Sequence, residues 1–399
     1  MNILFLSIGR LENLLIKSLY PDLLRKFKDE GHSVYVVSPR ERRLGLNTEL
    51  CETYGIHTLR VRIGNITKTN LVEKGISTIV LERVFLKEIN KYFKNIKFDL
   101  VLYSTPPITF EKIVHYIKKR DGAVSYLMLK DIFPQNAVDL KMFSKKSVIY
   151  KYFRAKEKRL YAQSDMIGCM SPANVEYILQ HNPEISPSKV EVCPNSIEVQ
   201  EVNISKKEQE VIRRKYDIPN DKMVFVYGGN LGKPQGIDFL IECLKSQREN
   251  VDAYFLIIGS GTEYKKLEQY YKDSGQKNLK VMSALPKEDY DMMIWACDVG
   301  MIFLDKRFTI PNFPSRLLSY MQAKLPILAV TDINTDVGKV IVNGGFGWWC
   351  EAGNIEDFCS TLCRLPYEDT KLAGERAYDY LLKTYTVQDT YKIIMEHFI

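Results

Sequence analysis

No stretch of this 399-residue chain approaches the roughly 20 consecutive apolar residues needed to cross a bilayer, so no helix of it is expected to span a membrane. The opening Met1-Asn2-Ile3-Leu4-Phe5-Leu6-Ser7 has no basic leader and reads as a first β-strand rather than a secretory signal, which implies a cytoplasmic protein. Histidine is scarce, five residues in all, and none stands in a sequence context that offers a partner; His32, in Gly31-His32-Ser33-Val34, reads as part of a helix-to-strand turn. None of the eight cysteines is spaced CxxC, which argues against a zinc ribbon or a thioredoxin-like site. Cys359 and Cys363, four apart on an expected helix, read as small apolar packers. HExxH, GxSxG and EF-hand patterns are missing. Gly259-Ser260-Gly261 lacks the third glycine of a dinucleotide fingerprint, because Tyr264 stands there. Gly232-Lys233 is no P-loop either, with Tyr227 and Pro234 where glycine and Ser/Thr are needed. Asp289-Tyr290-Asp291 resembles a metal-binding pair, but it lies in the acidic helical stretch from Lys287 and reads as a solvated helix start. No metal and no cofactor are expected.

What is present is an ordinary globular balance, 45% hydrophobic and 26% charged residues, enough to build packed cores and to argue against wholesale disorder. The net charge of +7 is unevenly spread. Residues 1–200 carry 31 Lys+Arg against 21 Asp+Glu, a balance of +10; residues 201–399 carry 25 against 28, a balance of −3. The first half therefore faces something anionic, and nucleic acid, a membrane surface and a phosphorylated lipid all satisfy that charge.

Short β-branched runs alternate with longer amphipathic stretches along the whole chain. Asn2–Ser7, Val34–Ser38, Asp99–Ser104 and Val124–Leu129 read as strands; Leu14–Glu30, Ile76–Phe93 and Phe110–Lys119 read as helices. The pattern restarts at Met223–Tyr227 and Ala253–Ile258. Such alternation implies parallel sheets with right-handed crossovers. The expected architecture is α/β, two doubly wound Rossmann-like domains with a cleft between them and binding crevices at the carboxyl ends of the strands. The expected boundaries are 1–200, 201–380 and a C-terminal helical segment 381–399 that crosses back to the first domain.

Three segments could carry chemistry. Tyr227-Gly228-Gly229-Asn230-Leu231-Gly232-Lys233 joins a strand to a helix; its glycines let backbone approach a ligand, and Lys233 adds a mobile cation, which together suit a diphosphate. An ordinary turn with a surface lysine fits the same residues. In Ile310-Pro311-Asn312-Phe313-Pro314-Ser315-Arg316, Arg316 falls in the first turn of a helix, where a cation opposes the dipole, so it serves either a bound anion or a neighbouring carboxylate. Ser104-Thr105-Pro106-Pro107 and Lys130-Asp131-Ile132-Phe133-Pro134 end two strands of the basic half. Asp131 is placed to orient or deprotonate a hydroxyl, or else only to pair with Lys130.

In order and spacing these pieces resemble the retaining glycosyltransferases of the GT-B fold, family-4 type, of bacterial capsule and O-antigen synthesis. The resemblance runs over nearly the whole chain. It takes in Gly9, Gly31-His32-Ser33-Val34-Tyr35-Val36-Val37-Ser38 and Lys189-Val190-Glu191-Val192-Cys193-Pro194-Asn195-Ser196. It continues through Tyr227–Gly236, Leu256-Ile257-Ile258-Gly259-Ser260-Gly261, Ala296-Cys297-Asp298-Val299-Gly300 and Pro314–Pro326. It implies a nucleotide-sugar donor held by the second domain, its diphosphate on Gly229, Asn230, Lys233 and Arg316; a UDP-linked donor is expected, with Gly259, Asn312 and Ser315 as further donor-binding candidates. It implies an acceptor held by the first; Gly9, Ser104 and Thr105 are the expected acceptor-side residues and Lys130, Asp131 and Arg316 the expected catalytic ones, Lys130 or Asp131 standing where relatives carry a histidine. Metal is not required, and the charged clamp stabilises the departing diphosphate. The family's Glu-x7-Glu pair is missing: Pro311 and Ser319 stand at its two positions, and Asn230 and Gln235 replace basic residues of the glycine loop.

The expected reaction is transfer to a polyprenyl-diphosphate-linked saccharide by a protein resting on the inner face of the cell membrane, an anionic surface that suits the basic half. Nucleic acid is not an expected partner. A catalytically silent nucleotide-sugar-binding subunit and a nucleotide-sugar 2-epimerase share the fold and stand as the alternatives.

Overall fold

The computed structural model describes residues 1–67, 69, 71–365 and 368–398, which fall into two units. The first comprises Met1–Glu198 with Thr386–Ile399, and the second Val199–Tyr385.

The sheet of the first unit is built from β1 (Asn2–Leu6), β2 (Ser33–Glu41), β3 (Glu49–Thr53), β4 (Ile56–Ile63), β5 (Leu100–Ser104), β6 (Val124–Leu129), β7 (Met166–Cys169) and β8 (Val190–Val192). Their order is β3-β4-β2-β1-β5-β6-β7-β8. Every pairing is parallel except β3 with β4, which a Tyr54-Gly55 turn with positive φ at both residues folds into a hairpin. β1, β5 and β6 are buried almost throughout, because helices cover both faces of the sheet, and this is why they read as unbroken apolar runs. The helix Leu19–Asp29 starts five residues later than its apolar spacing predicts. Asp22 accepts from the Ser18 N–H at 2.9 Å and from Arg25 at 2.7 Å, which fixes its first turn. Its inner face, Leu23, Leu24 and Phe27, packs with Phe5, Val36 and Leu102.

The chain leaves the second unit at Tyr385/Thr386, whereas the sequence boundary at 380/381 falls inside a helix that runs to Thr384. Thr386 caps the helix Val387–Met395, whose Val387 and Ile394 join the core of the first unit. His32 lies against this helix, 3.0 Å from the Tyr391 hydroxyl. His397 also has a partner that its sequence context does not show: it lies 2.9 Å from Glu191, which accepts from the Tyr126 hydroxyl at 2.7 Å.

The second sheet contains β9 (Met223–Asn230), β10 (Ala253–Ser260), β11 (Leu279–Ser283), β12 (Val299–Phe303), β13 (Ile327–Thr331) and β14 (Gly347–Glu351), all parallel, in the order β11-β10-β9-β12-β13-β14. The strand order reverses between β9 and β12, and a crevice opens at such a point beyond the strand ends. Phe225 and Phe255 stack at 5.3 Å in a core shared with Leu240, Leu328 and Phe358. Cys359 packs against this core, but Cys363 is exposed, so only one of the two is a packer. Among the described residues, no helix is long and apolar enough to cross a membrane.

Candidate functional site

The switch point of the second sheet gathers residues that are distant in sequence. β9 ends in Gly228-Gly229-Asn230, and Gly229 takes a φ of 116°, a conformation open to glycine and rarely to other residues. The crossover from β12 to β13 brings Arg316, the first residue of the helix Arg316–Gln322, over the Tyr227 ring at 4.2 Å. A side chain on Gly229 would stand 3.8 Å from the guanidinium, so the arginine lies directly beside the loop. Among the described residues Arg316 forms no ion pair, and its Nη1 is buried without a hydrogen-bond partner. The groups bearing on its charge are the phenols of Tyr227, Tyr320 and Tyr290. Burial pushes all three phenols up, so they stay neutral. Of the two sequence readings of Arg316, the carboxylate pair is therefore missing. A forked cation beside a glycine turn, with an unsatisfied donor, has the chemistry to receive an anion with several oxygens.

The tyrosines were not legible as site residues. Tyr320 donates to the Met301 carbonyl and accepts from the Gly228 N–H, both at 3.1 Å, and so ties β9 to β12 beneath the loop. Tyr290 packs on Gly228, where an added Cβ would lie 2.0 Å from its hydroxyl oxygen. The flanking aspartates are engaged elsewhere, Asp289 with Lys215 at 3.2 Å and Asp291 with Lys287.

The remaining donor-side residues divide into exposed and structural ones. Lys233 and Ser315 are exposed, and the Ser315 hydroxyl does not cap its helix. Asn230 donates its amide to Gln235 Oε1 at 2.9 Å, and the Gly232 N–H donates to the same oxygen at 3.1 Å. The Asn230 nitrogen is thus spent on shaping the loop. Gly259 is buried beside Gly229, its register partner on β9, whose carbonyl oxygen would be 1.9 Å from an added Cβ. It supports the loop rather than presenting itself to a ligand, contrary to its expected donor-binding role. The Asn312 N–H donates to Thr335 Oγ1 at 2.6 Å, and its carbonyl accepts from the same hydroxyl.

In the first unit, Gly9, Ser104-Thr105 and Lys130-Asp131 stand at or just beyond the C-terminal ends of β1, β5 and β6, which are neighbours in the sheet. Gly9 is exposed and donates to Ser7 Oγ at 2.9 Å. Ser104 and Thr105 are buried, which corrects their expected place facing an acceptor. Thr105 Oγ1 accepts from the N–H groups of Lys130 and Asp131 at 3.0 and 3.1 Å and donates to the Asp131 carbonyl. Its hydroxyl joins the two loops and leaves nothing for a ligand. Lys130 and Asp131 form no ion pair, which removes the plainer reading of Asp131. Lys130 Nζ reaches the Cys193 carbonyl at 3.4 Å, and burial pushes its ammonium below the usual range. Burial pushes the Asp131 carboxyl up to about 6, against the opposing bonds from Asn136 and the Ile132 N–H. Asn136 Nδ2 lies 2.8 and 2.9 Å from the two carboxylate oxygens, a positioning contact not legible in the sequence. A half-buried carboxylate that titrates near neutrality is suited to exchanging a proton with a hydroxyl.

Residues 208–368 match the family described as glycosyl transferases group 1. The chain is 24% identical over 285 residues to a probable glycosyltransferase, WbjE, of Pseudomonas aeruginosa, covering 71% of this chain and 69% of that one. Over 141 residues it is 27% identical to a putative colanic acid biosynthesis glycosyl transferase, WcaI, of Escherichia coli K12, covering 35% and 34%. Its fold is similar to that of HepE from Anabaena, crystallised with UDP and glucose. The TM-score is 0.71 at 14% identity, covering 100% of this chain and 99% of the other. Two parallel α/β units of this kind constitute the GT-B fold.

Proposed function

We propose that this chain, whose second unit matches the group 1 glycosyl transferases, moves a sugar from a UDP-linked donor to a lipid-linked saccharide of a bacterial surface polysaccharide, with retention at the anomeric carbon. The observation that carries the reading is the Arg316 guanidinium, over the Tyr227 ring and beside the Gly228-Gly229 turn at the switch point of the second sheet, with no ion pair among the described residues and Nη1 buried without a partner. A nucleoside diphosphate supplies the anion that this cation lacks. As the bond from the sugar to the diphosphate breaks, negative charge grows on the leaving oxygen, and a preorganised cation stabilises that charge. Arg316 performs this task with the Gly229 backbone beside it, the exposed Lys233 of the same loop supplies a second cation, and no metal is needed. The exposed Ser315 and the half-buried Asn312 lie just ahead of Arg316 in the chain and are the further donor-side candidates.

The first unit takes the acceptor. Its hydroxyl gives up a proton as it attacks the anomeric carbon, and Asp131 accepts or orients that proton while Asn136 holds the carboxylate. The similarity of HepE, crystallised with UDP and glucose, supports a UDP-linked donor. The WcaI name, colanic acid biosynthesis, supports a surface-polysaccharide product.

The test is calorimetry and turnover of the whole chain with UDP, GDP and a panel of UDP-sugars. Micromolar UDP binding that weakens on replacing Arg316, together with slow donor hydrolysis, supports the reading. UDP binding that is indifferent to Arg316, or release of an epimerised donor, overturns it.

A further inference from the structure

We infer that the surface running from Lys141 to Tyr152 of the first unit docks on an anionic phospholipid bilayer and brings the Asp131 loop to that bilayer. The inference deepens the proposed function, since it rests on an acceptor that is lipid-linked.

Four large apolar side chains stand out here with no protein to cover them: Val148 is 81% exposed, Met142 60%, Ile149 54% and Tyr152 40%. Val148, Ile149 and Tyr152 occupy the outer side of the first turns of the helix Val148–Gln163, and Met142 lies on the preceding loop. Lysines surround them. Lys141, Lys145, Lys146 and Lys151 are all exposed, and no Asp or Glu occurs between Leu140 and Lys156. Farther along the helix the basic residues are neutralised: Arg154 pairs with Glu157 and Lys158 with Glu184. None of the four lysines has such a carboxylate among the described residues. Apolar side chains ringed by uncompensated lysines are what an interface of acyl chains and anionic head groups accepts. A second copy of the chain is disfavoured as the occupant, because a twofold contact through this patch would set lysines against lysines.

The patch has a firm underside that leads to the candidate acceptor loop. Phe143 and Phe153, from the loop and the helix, pack edge-on against Phe133 with ring centroids at 6.3 and 5.0 Å. Phe133 is two residues from Asp131. A bilayer contact at Met142 and Val148 is therefore one layer of aromatic side chains away from the segment that carries the candidate base. A head-group-linked acceptor has only a short distance to reach it.

The experiment is sedimentation of the full chain with vesicles of phosphatidylglycerol and phosphatidylcholine, and with pure phosphatidylcholine. UDP binding is measured in parallel on each protein. The wild type is expected to bind the anionic vesicles at least about tenfold more tightly than the neutral ones. Replacing Met142, Val148 and Ile149 by serine is expected to lower that binding by about tenfold or more. Lys145→Gln and Lys146→Gln are each expected to lower it about fivefold and to reduce its salt dependence. Circular dichroism and UDP affinity should stay at the wild-type values in all of these variants, since every substituted side chain is exposed. Unchanged partition of the folded serine variant, or equal binding of the wild type to neutral vesicles, overturns the assignment. A wild-type dimer that the serine variant dissolves overturns it in favour of a second copy. Failure of the wild type to bind UDP counts against the donor reading alone, and failure on vesicles with UDP binding intact counts against this surface alone.

Discussion

Replacing Arg316 with methionine separates an anion receptor from a structural arginine, because the two roles predict opposite pairs of outcomes. Methionine keeps most of the side-chain volume and removes the charge. The fold loses a cation–π contact at 4.2 Å from the Tyr227 ring, about 0.5–1 kcal/mol for a partly exposed pair. It also sheds the cost of a guanidinium whose Nη1 is buried without a partner, about 1–3 kcal/mol for an unsatisfied donor. The two effects oppose each other, so the thermal midpoint without ligand should stay within about 4 °C of wild type, or rise. A bound diphosphate loses one or two charge-assisted hydrogen bonds, about 1.5–3 kcal/mol, and its Kd should rise about 10- to 100-fold. Turnover should suffer more, with kcat/KM falling about 10²- to 10³-fold, because charge develops on the leaving oxygen in the transition state. Lysine should not restore either quantity, since it lacks the planar fork that lies on the ring. The assays are differential scanning fluorimetry without ligand and calorimetry with UDP. A folded variant that binds UDP within twofold of wild type refutes the reasoning. So does a midpoint that drops by more than about 10 °C, since this would make the arginine a structural residue.

Asp131, with its carboxyl raised to about 6, should make kcat/KM climb between pH 5 and 7 as the carboxylate forms, and Asp131→Asn should flatten that limb. The folded protein holds this proton more tightly than the unfolded chain. The contribution to stability is therefore full below the ordinary value near 4 and is lost as pH rises through about 6. Asp131→Asn should accordingly raise the midpoint at pH 8 and change it little at pH 4. Removing the opposing bonds by Asn136→Ala should move the kinetic limb to higher pH, and a profile identical to wild type would discount the contact. Gly228→Ala places a methyl 2.0 Å from the Tyr290 hydroxyl oxygen and should cost about 1–3 kcal/mol of stability, largely recovered by Tyr290→Ser in the same chain. Chelator should leave transfer unchanged; loss of activity that Mg²⁺ or Mn²⁺ restores would reopen Asp289 and Asp291 as ligands.

Sequence periodicity located the central strands well because β1, β5, β6, β9 and β12 are covered on both faces, so composition and burial coincide. β3 and β14 escaped notice for the opposite reason. Glu49–Thr53 is an edge strand with exposed glutamates, and Gly347–Glu351 is largely half-buried and follows a glycine pair. The glycine turn and Arg316 were legible because chain order alone sets a βα loop and the first turn of a helix. Tyr290 and Tyr320 were not, since their place follows from contacts with Gly228 and Gly300, 62 and 20 residues away in the chain. Gly259, Ser104 and Thr105 were placed at the right strand ends but assigned to ligands. A strand end also needs residues that bind one loop to the next, and short polar or glycine positions serve either purpose. Only coordinates distinguish a hydroxyl spent on two N–H groups from one that faces solvent.

The first unit is made from both ends of the chain, with Val387 and Ile394 completing the packing around Leu24 and Phe27. On the ribosome this inverts the usual timetable. The segment 199–385 is contiguous and can mature as soon as it emerges. The segment translated first must wait, with part of its apolar interior open to water, until residues through Ile394 have been delivered. A truncation that removes Val387 and Ile394 would therefore open the core of the unit that residues 1–198 build.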